Sequence, residues 1–492
     1  MRGKGAVAVT GTVVVIDGAS LTCAAVAAVA RRQAAVTVGE RAVGAARAAW
    51  LAGQELAARQ PVYGRNTGVG ANHAVDLGEG ALAEHGIRLL RSHAAGTGPL
   101  LAPEVARAML VVRLNQLGAG GSGVDPALLP VLADAINRGF TPPVPLYGAI
   151  GTGDLTALAS TGLCLLGERA WQGGTGPPPQ FGIRTSEALG FINSSAATLG
   201  DAALACHDLA ALLPAAAPVA ALSLLAVHGS AEPYAEAVHL ARPHPGQQRV
   251  AASMRALLAA GTFAAARVQD PYGYRAFPQV HGPAVDSAEH ADGVLAADLN
   301  ARSENPLIDV AGHAAWHNGN FHAAYVGLAL DAVRLALFQT AALSVARLGT
   351  LMEPSFTGLN PFLAADRASS GVMILEYVAQ SAVADIRRFA APAALSSAVL
   401  SRGVEEHAGF ATQSARATSD AVAPYRAVLA CELIAATRAL RLQARAPAGG
   451  GGLRRAYDLA DAVLEQSTAD RPMDSDLAAA DGVLESLTAA AS

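Results

Sequence analysis

The chain has 492 residues, of which 52% are hydrophobic and 15% are charged, and its formal net charge is −5 at pH 7. Its length predicts two or more packed units, or one elongated helical body, rather than one small core. The acidic balance and the lack of a basic stripe argue against nucleic-acid binding. The low share of charged residues predicts burial against other subunits.

The N-terminal part of the chain mixes strand and helix signals. In chain order we predict a strand, four helices and a glycine-rich loop: Val13–Ile16 (strand), Leu21–Ala35, Gly39–Gln60, Tyr63–Gly70 (loop), Gly80–Ala95 and Pro103–Leu117. Ser20 is suited to cap the first helix, and Pro61 ends the second. The glycine patch Gly118–Gly123 has the GxGxxG form but follows a predicted helix, so we interpret it as a helix–helix loop.

Helix signals dominate from Ser186 onward, with short Pro/Gly/Asn loops between apolar stretches. The uncharged run Leu209–Ala231 has the length of a membrane span, but Pro214 and Pro218 within it favour a core helix. The predicted class is mainly α, with a smaller mixed N-terminal head and a long central helical bundle. We predict two domains, 1–190 and 191–492.

The cysteines indicate a reducing compartment. They are widely spaced and form no CxxC pair: Cys23, Cys164, Cys206 and Cys431. This pattern is typical of proteins without a disulfide framework. We therefore expect a cytoplasmic protein that does not cross a membrane.

Several polar clusters interrupt this apolar background. They are YGRNTGVG (Tyr63–Gly70), RSHAAGTG (Arg91–Gly98), VPLYGAIGTGDLTALAS (Val144–Ser160), EALGFINSS (Glu187–Ser195), RVQDPYGYRAFPQVHG (Arg267–Gly282), NARSENPL (Asn300–Leu307), GNFH (Gly319–His322) and the pair Asp385/Arg387. In this order and spacing they resemble the aromatic amino acid ammonia-lyase and aminomutase family, and most closely the histidine ammonia-lyase pattern. The resemblance covers nearly the whole chain.

The resemblance implies loss of ammonia from an aromatic or heteroaromatic α-amino acid, which gives an α,β-unsaturated acid. This chemistry needs an electrophile and a base for a barely acidic β-proton. Lys4 is the only lysine, so a Schiff base is disfavoured. Members of this family cyclise and dehydrate an Ala-Ser-Gly tripeptide to a methylidene-imidazolone. No external cofactor is then expected.

This chain departs from the family at the tripeptide itself. The family reads G-S-V-G-A-S-G-D-L, whereas Gly148–Leu155 reads GAIGTGDL and is one residue shorter. Anchored on Asp154, the tripeptide becomes Gly151, Thr152 and Gly153. Three outcomes stay open: a prosthetic ring with an extra methyl group, a loop that stays linear in an enzyme of altered chemistry, or a catalytically poor relative.

Tyr63 is the candidate base that the resemblance implies. A tyrosine with an ordinary pKa of about 10 is protonated at neutral pH. We therefore expect the site to favour the phenolate, with helix N-termini directed into the pocket.

The resemblance also implies the residues that bind substrate. Arg275 is expected to hold the substrate carboxylate with its guanidinium fork. Gln269 and Tyr272 line the same pocket in the family motif. Asn193 matches an asparagine beside the prosthetic ring, and Phe321 matches a phenylalanine there.

Substrate choice depends on two further positions. His93, in the pair Ser92-His93, resembles the pair of histidine lyases. Asp385 falls where histidine-specific members carry glutamate, and a carboxylate there suits an imidazole or a hydroxyl-bearing ring better than a bare phenyl. Two alternatives to an ammonia-lyase stay open. A 2,3-aminomutase would give a β-amino acid, and a non-catalytic binding relative would give no product.

A metal site at His313, His317 and His322 is disfavoured, because the segment contains no HExxH arrangement. The resemblance implies a homotetramer whose active sites are shared between subunits. The expected partners are a small amino acid substrate and further copies of the chain.

Overall fold

The computed structural model describes residues 11–70, 79–260 and 265–491, so Lys4 lies outside the described residues. The chain forms two compact units. The first comprises 1–207, 291–330 and 392–419, and the second comprises 208–290, 331–391 and 420–492. Neither unit is continuous in sequence, so the predicted division into 1–190 and 191–492 does not coincide with them. The reason is long-range pairing within the first unit: for example, Ala323 N donates to Gly151 O at 3.0 Å.

Helices make up most of the described chain, which confirms the predicted mainly α class. Their bounds are α1 Cys23–Ala30, α2 Glu40–Arg59, α3 Glu79–His93, α4 Pro103–Gly118, α5 Leu128–Arg138, α6 Leu155–Leu165, α7 Ala188–Ile192, α8 Ala196–Leu212, α9 Ala216–Ala226, α10 Glu236–Leu240, α11 Pro245–Leu258, α12 Tyr272–Arg275, α13 Phe277–Leu299, α14 Ala324–Met352, α15 Pro354–Thr357, α16 Ile374–Phe389, α17 Ala411–Leu442, α18 Gly452–Val463 and α19 Asp474–Ala491. The glycine patch after α4 is the predicted helix–helix connection, since it lies between α4 and α5.

The strands are short and occur in pairs. They are β1 Val13–Ile16, β2 Ala35–Val38, β3 Thr97–Leu100, β4 Phe140–Thr141, β5 Pro145–Tyr147, β6 Gln172–Gly173, β7 Leu307–Asp309 and β8 Ala314–Trp316. β1 pairs with β2 in parallel, with Val13 opposite Ala35, while β3–β5, β4–β6 and β7–β8 are antiparallel. The mixed character predicted for the N-terminal part is therefore present, and β7–β8 extends it into a segment predicted as helix.

The predicted helix Leu21–Ala35 is wrong at both ends. Thr22, not Ser20, is the N-cap, because its side chain accepts a hydrogen bond from Ala25 N at 3.2 Å. The helix stops at Ala30. The β-branched residues of β2 favour an extended backbone and pair with β1 instead.

The apolar run Leu209–Ala231 contributes the wholly buried helix α9 to the second unit. Two helical stretches, Thr185–Ala226 and Ala324–Met352, are long and apolar enough to cross a membrane by length and composition. Within the protein, 83% and 61% of their apolar windows are buried. Such burial is typical of helices in the core of a large helical protein.

Candidate active site

A cavity of about 800 Å³ opens within the first unit. Five of the predicted site residues line it: Tyr63, His93, Thr152, Asn193 and Phe321. They come from five different motifs, and the largest separation between them is more than 250 residues of sequence. The fold of this unit therefore assembles one pocket from these motifs.

Backbone hydrogen bonds hold the shortened loop at the cavity wall. Phe410 N donates to Ile150 O at 2.9 Å, and Ala323 N donates to Gly151 O at 3.0 Å. Gly151 has φ +86°, and a Cβ there would lie 2.5 Å from the backbone nitrogen of Ala411. Glycine is thus required at 151 by both backbone conformation and space. Thr152, next in sequence, lines the cavity.

The loop carrying Tyr63 is anchored by Arg65. The buried Arg65 guanidinium donates from Nη2 to Ser122 O at 2.9 Å and Gly123 O at 2.7 Å. These carbonyls belong to the glycine patch after α4, so this patch supports the Tyr63 loop. Tyr63 N lies 3.3 Å from His317 Nε2, to which it donates.

The electrostatics at Tyr63 differ from expectation. Burial raises the pKa of the Tyr63 phenol, and the negative charge of Glu405 raises the pKa further. A hydrogen bond that Gly70 N donates to Tyr63 Oη at 2.7 Å favours the phenolate and lowers the pKa, but its effect is smaller than that of burial. The expectation that the surroundings favour the phenolate is therefore wrong for the described residues.

Asp154 links the loop to α8. Its carboxylate is fully buried and accepts hydrogen bonds from Thr198 N at 2.7 Å and Thr198 Oγ1 at 2.9 Å. Its own N donates to Ser194 O at 2.7 Å. Burial raises the pKa of Asp154 to about 6, although these hydrogen bonds act in the opposite direction.

Asn193 and Phe321 are fixed by neighbouring polar groups. Asn193 Nδ2 donates to Asn305 O at 3.0 Å, and Ser195 Oγ donates to Phe321 O at 2.9 Å. His93 ends α3, and its Nδ1 lies 3.0 Å from Leu89 O. Each of these predicted residues is held by a contact within the first unit.

The chain is similar to known proteins in sequence and in fold. The sequence profile of the family described as aromatic amino acid lyase matches residues 21–462. Histidine ammonia-lyase of Streptomyces griseus is 36% identical over 495 residues, which cover 95% of this chain and 96% of that relative. The chain belongs to the aromatic amino acid lyase family. The predicted family and the predicted enzyme class, a carbon–nitrogen lyase, are confirmed.

Solved structures of this family share the fold. Histidine ammonia-lyase from Trypanosoma cruzi aligns with a TM-score of 0.88 at 28% identity, covering 96% of this chain and 94% of that chain. Tyrosine aminomutase from Streptomyces globisporus aligns with the same TM-score and identity, covering 96% and 97%. Family members of both names are therefore similar to this chain.

Four of the predicted substrate-binding residues, Gln269, Tyr272, Arg275 and Asp385, lie in the second unit. Gln269 and Arg275 line a separate cavity of about 300 Å³ there. The Arg275 guanidinium lies 4.3 Å from the centre of the Tyr272 ring, and its Nε is buried without a hydrogen-bond partner among the described residues. Asp385 is exposed and forms an ion pair with Arg388 at 3.3 Å. None of these four lines the 800 Å³ cavity.

Several residues that line the cavity lie outside the predicted set. His85 and Arg88 lie on α3, Asn305 lies two residues before β7, and Glu405 lies in a loop after α16. A helical-face analysis of α3 would have placed His85 and Arg88 beside Ser92, since they are spaced by three and four residues.

The three histidines weighed as a metal site do not converge. His322 Nε2 lies 2.9 Å from His407 Nδ1, whereas His317 contacts Tyr63 N. Within residues 11–70, 79–260 and 265–491, no group of three or more His, Cys, Asp or Glu side chains is placed to hold a metal ion.

Proposed function

We propose that this chain eliminates ammonia from an aromatic or heteroaromatic α-amino acid, histidine-like or tyrosine-like, and releases the α,β-unsaturated acid. The observation that carries the proposal is that Thr152 and Tyr63 line one cavity. One belongs to the tripeptide position of the family and the other to the position of its base. The names of the relatives, histidine ammonia-lyase and tyrosine aminomutase, support the two substrate classes.

The residues present fit a prosthetic group made at Gly151, Thr152 and Gly153. Both glycines have positive φ, +86° and +98°, which is the freedom that a tight backbone closure needs. The Gly151 carbonyl accepts the N–H of Ala323, which polarises it toward attack by the Gly153 nitrogen. Closure forms that C–N bond and loses one water, and dehydration of Thr152 loses a second. The resulting methyl-substituted imidazolone would supply the electrophile.

Tyr63 is proposed to take the β-proton of the substrate at its Oη. Since burial and Glu405 raise the pKa of Tyr63, the phenolate becomes abundant only at alkaline pH. Glu405 lines the same cavity and is suited to the substrate ammonium group. Asn193 and Phe321 are proposed to line the ring, and His93 is proposed to contact the substrate side chain.

We further propose that Gln269, Tyr272, Arg275 and Asp385 complete the site from other copies of the chain in a homotetramer. The unpaired Arg275 Nε is a donor that a substrate carboxylate can satisfy.

Exposed apolar pairs support this self-association. In the first unit Tyr325 and Leu328 are 79% and 61% exposed, and in the second unit Ile374 and Tyr377 are 51% and 66% exposed. Each pair is spaced by three residues and so lies on one helix face. We place the assembly in the cytoplasm, without nucleic-acid or membrane partners.

Intact mass spectrometry of the purified chain tests the prosthetic group. A formed ring lowers the mass by two water molecules. Thr152→Val is the matched control, because its side chain has the same shape but no hydroxyl to lose. An unshifted parental mass contradicts ring formation and favours the linear loop.

Turnover of histidine, tyrosine and phenylalanine, followed by the ultraviolet absorbance of the acrylate product, tests the reaction. Tyr63→Phe is expected to lower kcat by at least about 100-fold, as for loss of a general base. Unchanged turnover in this variant would mean that Tyr63 is not the base. A β-amino acid product would favour the aminomutase, to which the likeness to tyrosine aminomutase points. Binding of these amino acids without any product would favour a non-catalytic relative.

A further inference from the structure

The cavity of the first unit is lined by a positive charge on helix α3, Arg88, and a negative charge in the loop after α16, Glu405. Helix α3 contributes His85, Arg88, Ser92 and His93, whose spacing places them along one side of the helix. We call these four residues the α3 wall. Glu405 is the one acid and Arg88 the one arginine among the described residues that line the cavity.

The α3 wall has unused hydrogen-bonding capacity. His85 Nε2 is buried and has no hydrogen-bond partner among the described residues. Burial lowers the pKa of His85, so its ring is neutral at pH 7 and carries one N–H donor. A buried polar atom of this kind gains most from a ligand that pairs with it.

Arg88 is also available to a ligand. It forms an ion pair with Glu84 one helical turn away, and the two side chains are 66% and 60% exposed. An exposed pair at this spacing contributes little and exchanges readily. Arg88 can therefore turn to an acceptor in the cavity at low cost.

This inference rests on the proposed function and names the substrate class. We infer that the α3 wall selects aromatic amino acids whose ring carries an anionic or hydrogen-bond-accepting group, with Arg88 and His85 as the specificity residues. Guanidinium and imidazole N–H groups complement such a ring substituent. A ring cation would meet the like charge of Arg88, and a bare phenyl ring would leave His85 Nε2 unpaired.

The arrangement also orients the substrate. Glu405 lies in the loop after α16, and its charge acts on Tyr63, the proposed base. The substrate ammonium is attracted to Glu405 and the ring substituent to the α3 wall. The β-carbon between them is thereby directed toward the part of the cavity that contains Tyr63 and Thr152.

Calorimetric titration of the full-length oligomer tests the inference. The probes are 3-(4-carboxyphenyl)propionate and 3-(4-aminomethylphenyl)propionate, which lack an α-amino group and so bind without losing ammonia. The ring anion is expected to bind about tenfold more tightly than the ring cation. Arg88→Met is expected to reduce this ratio to about one, and Arg88→Lys, which keeps the positive charge, is expected to retain most of it.

Arg91→Met is the matched control. Arg91 lies on the same helix, pairs with Glu168 at 2.7 Å and does not line the cavity. Its loss is expected to leave the ratio unchanged. Equal affinities in the parental protein, a preference for the ring cation, or equal losses in Arg88→Met and Arg91→Met each overturn the inference.

Turnover distinguishes this inference from the proposed function. No acrylate from any amino acid, together with an intact preference for the ring anion that depends on Arg88, overturns the proposed elimination but supports the α3 wall. Elimination of ammonia without any ring-anion preference overturns the α3 wall alone.

Discussion

Two buried arginine–glutamate pairs, one in each unit, differ in how completely their polar atoms are used. In the second unit Glu432 accepts hydrogen bonds from Arg347 Nε at 2.6 Å and Nη2 at 2.8 Å. It also accepts from Ser223 Oγ at 2.6 Å and Ser344 Oγ at 2.5 Å. Both charges are 1% exposed or less, so every oxygen of this carboxylate is compensated inside the protein.

In the first unit the pair is equally buried but less complete. Arg113 Nη1 donates to Glu304 Oε1 at 2.9 Å, while Glu304 Oε2 has no partner among the described residues. Burial raises the pKa of Glu304, although Arg113 opposes this. Arg113 Nε also donates to Phe191 O at 3.0 Å, close in sequence to Asn193. The complete network fixes a core, whereas the incomplete one supports the backbone beside Asn193 and leaves one oxygen of its carboxylate without a partner among the described residues.

The largest effect is expected from Arg347→Met, which leaves Glu432 buried without its cation. Breaking a buried pair in this way costs about 3–5 kcal/mol of the free energy of unfolding. Urea unfolding followed by circular dichroism at fixed protein concentration measures it. Arg454→Met, which removes an exposed pair with Asp458, is the control and should cost less than about 0.5 kcal/mol. A similar cost in both variants would contradict the importance of the closed network.

Arg113→Met should cost less, about 2 kcal/mol, because Glu304 can become neutral instead of staying charged. The pKa of Glu304 is higher in the folded state than in the unfolded state. The stability of this variant should therefore fall as pH rises through neutrality. Unfolding at several pH values measures the slope. Arg59→Met, which loses an exposed pair with Glu55, should have the pH slope of the parental protein. A loss as large as that of Arg347→Met would remove the difference between the two pairs.

The sequence predicted the site residues that belong to recognisable motifs, but not the contacts between residues that are far apart in sequence. Motif order was sufficient to predict Tyr63, Thr152, Asn193 and Phe321, which meet at one cavity. The effect of Glu405 on Tyr63 could not be predicted, because the two lie more than 300 residues apart in sequence. The sign of the Tyr63 pKa shift depends on burial, which no local pattern encodes.

The fold was predicted where patterns are long and missed where they are short. Helix α4 was predicted within one residue, since Pro103 sets its start and its apolar run is continuous. Strand β2 was missed because four residues give little periodicity, and its pairing with β1 is a tertiary contact. Each of the two compact units is assembled from three separate segments of the chain, and long-range contacts of this kind leave no local pattern in the sequence.

Asp154 tests an intermediate case, a buried carboxylate with hydrogen bonds but no cation. Its pKa is raised to about 6, above the value of 3.8 for a free carboxyl group. Its stabilising contribution is thus complete below about pH 4 and is lost as pH rises through about 6. Asp154→Asn should remove about 2 kcal/mol of the pH dependence of the unfolding free energy between these values. Asp134→Asn, at an exposed site, should leave the dependence unchanged; an unaltered slope in Asp154→Asn would contradict the assignment.

The smallest effect is expected from Glu405→Gln, which alters the site without breaking a core contact. If Tyr63 is the base, kcat/KM rises with pH as its phenol ionises. Removing the Glu405 charge should lower the pKa of Tyr63 and move this rising limb to lower pH. Because Glu405 is exposed, solvent screening should keep the displacement below about one pH unit and diminish it at high salt. Glu406→Gln, the adjacent exposed residue outside the cavity, is the control. If the rising limb of kcat/KM stays at the same pH in Glu405→Gln, or moves equally in both variants, the charge of Glu405 does not influence the ionisation that limits turnover.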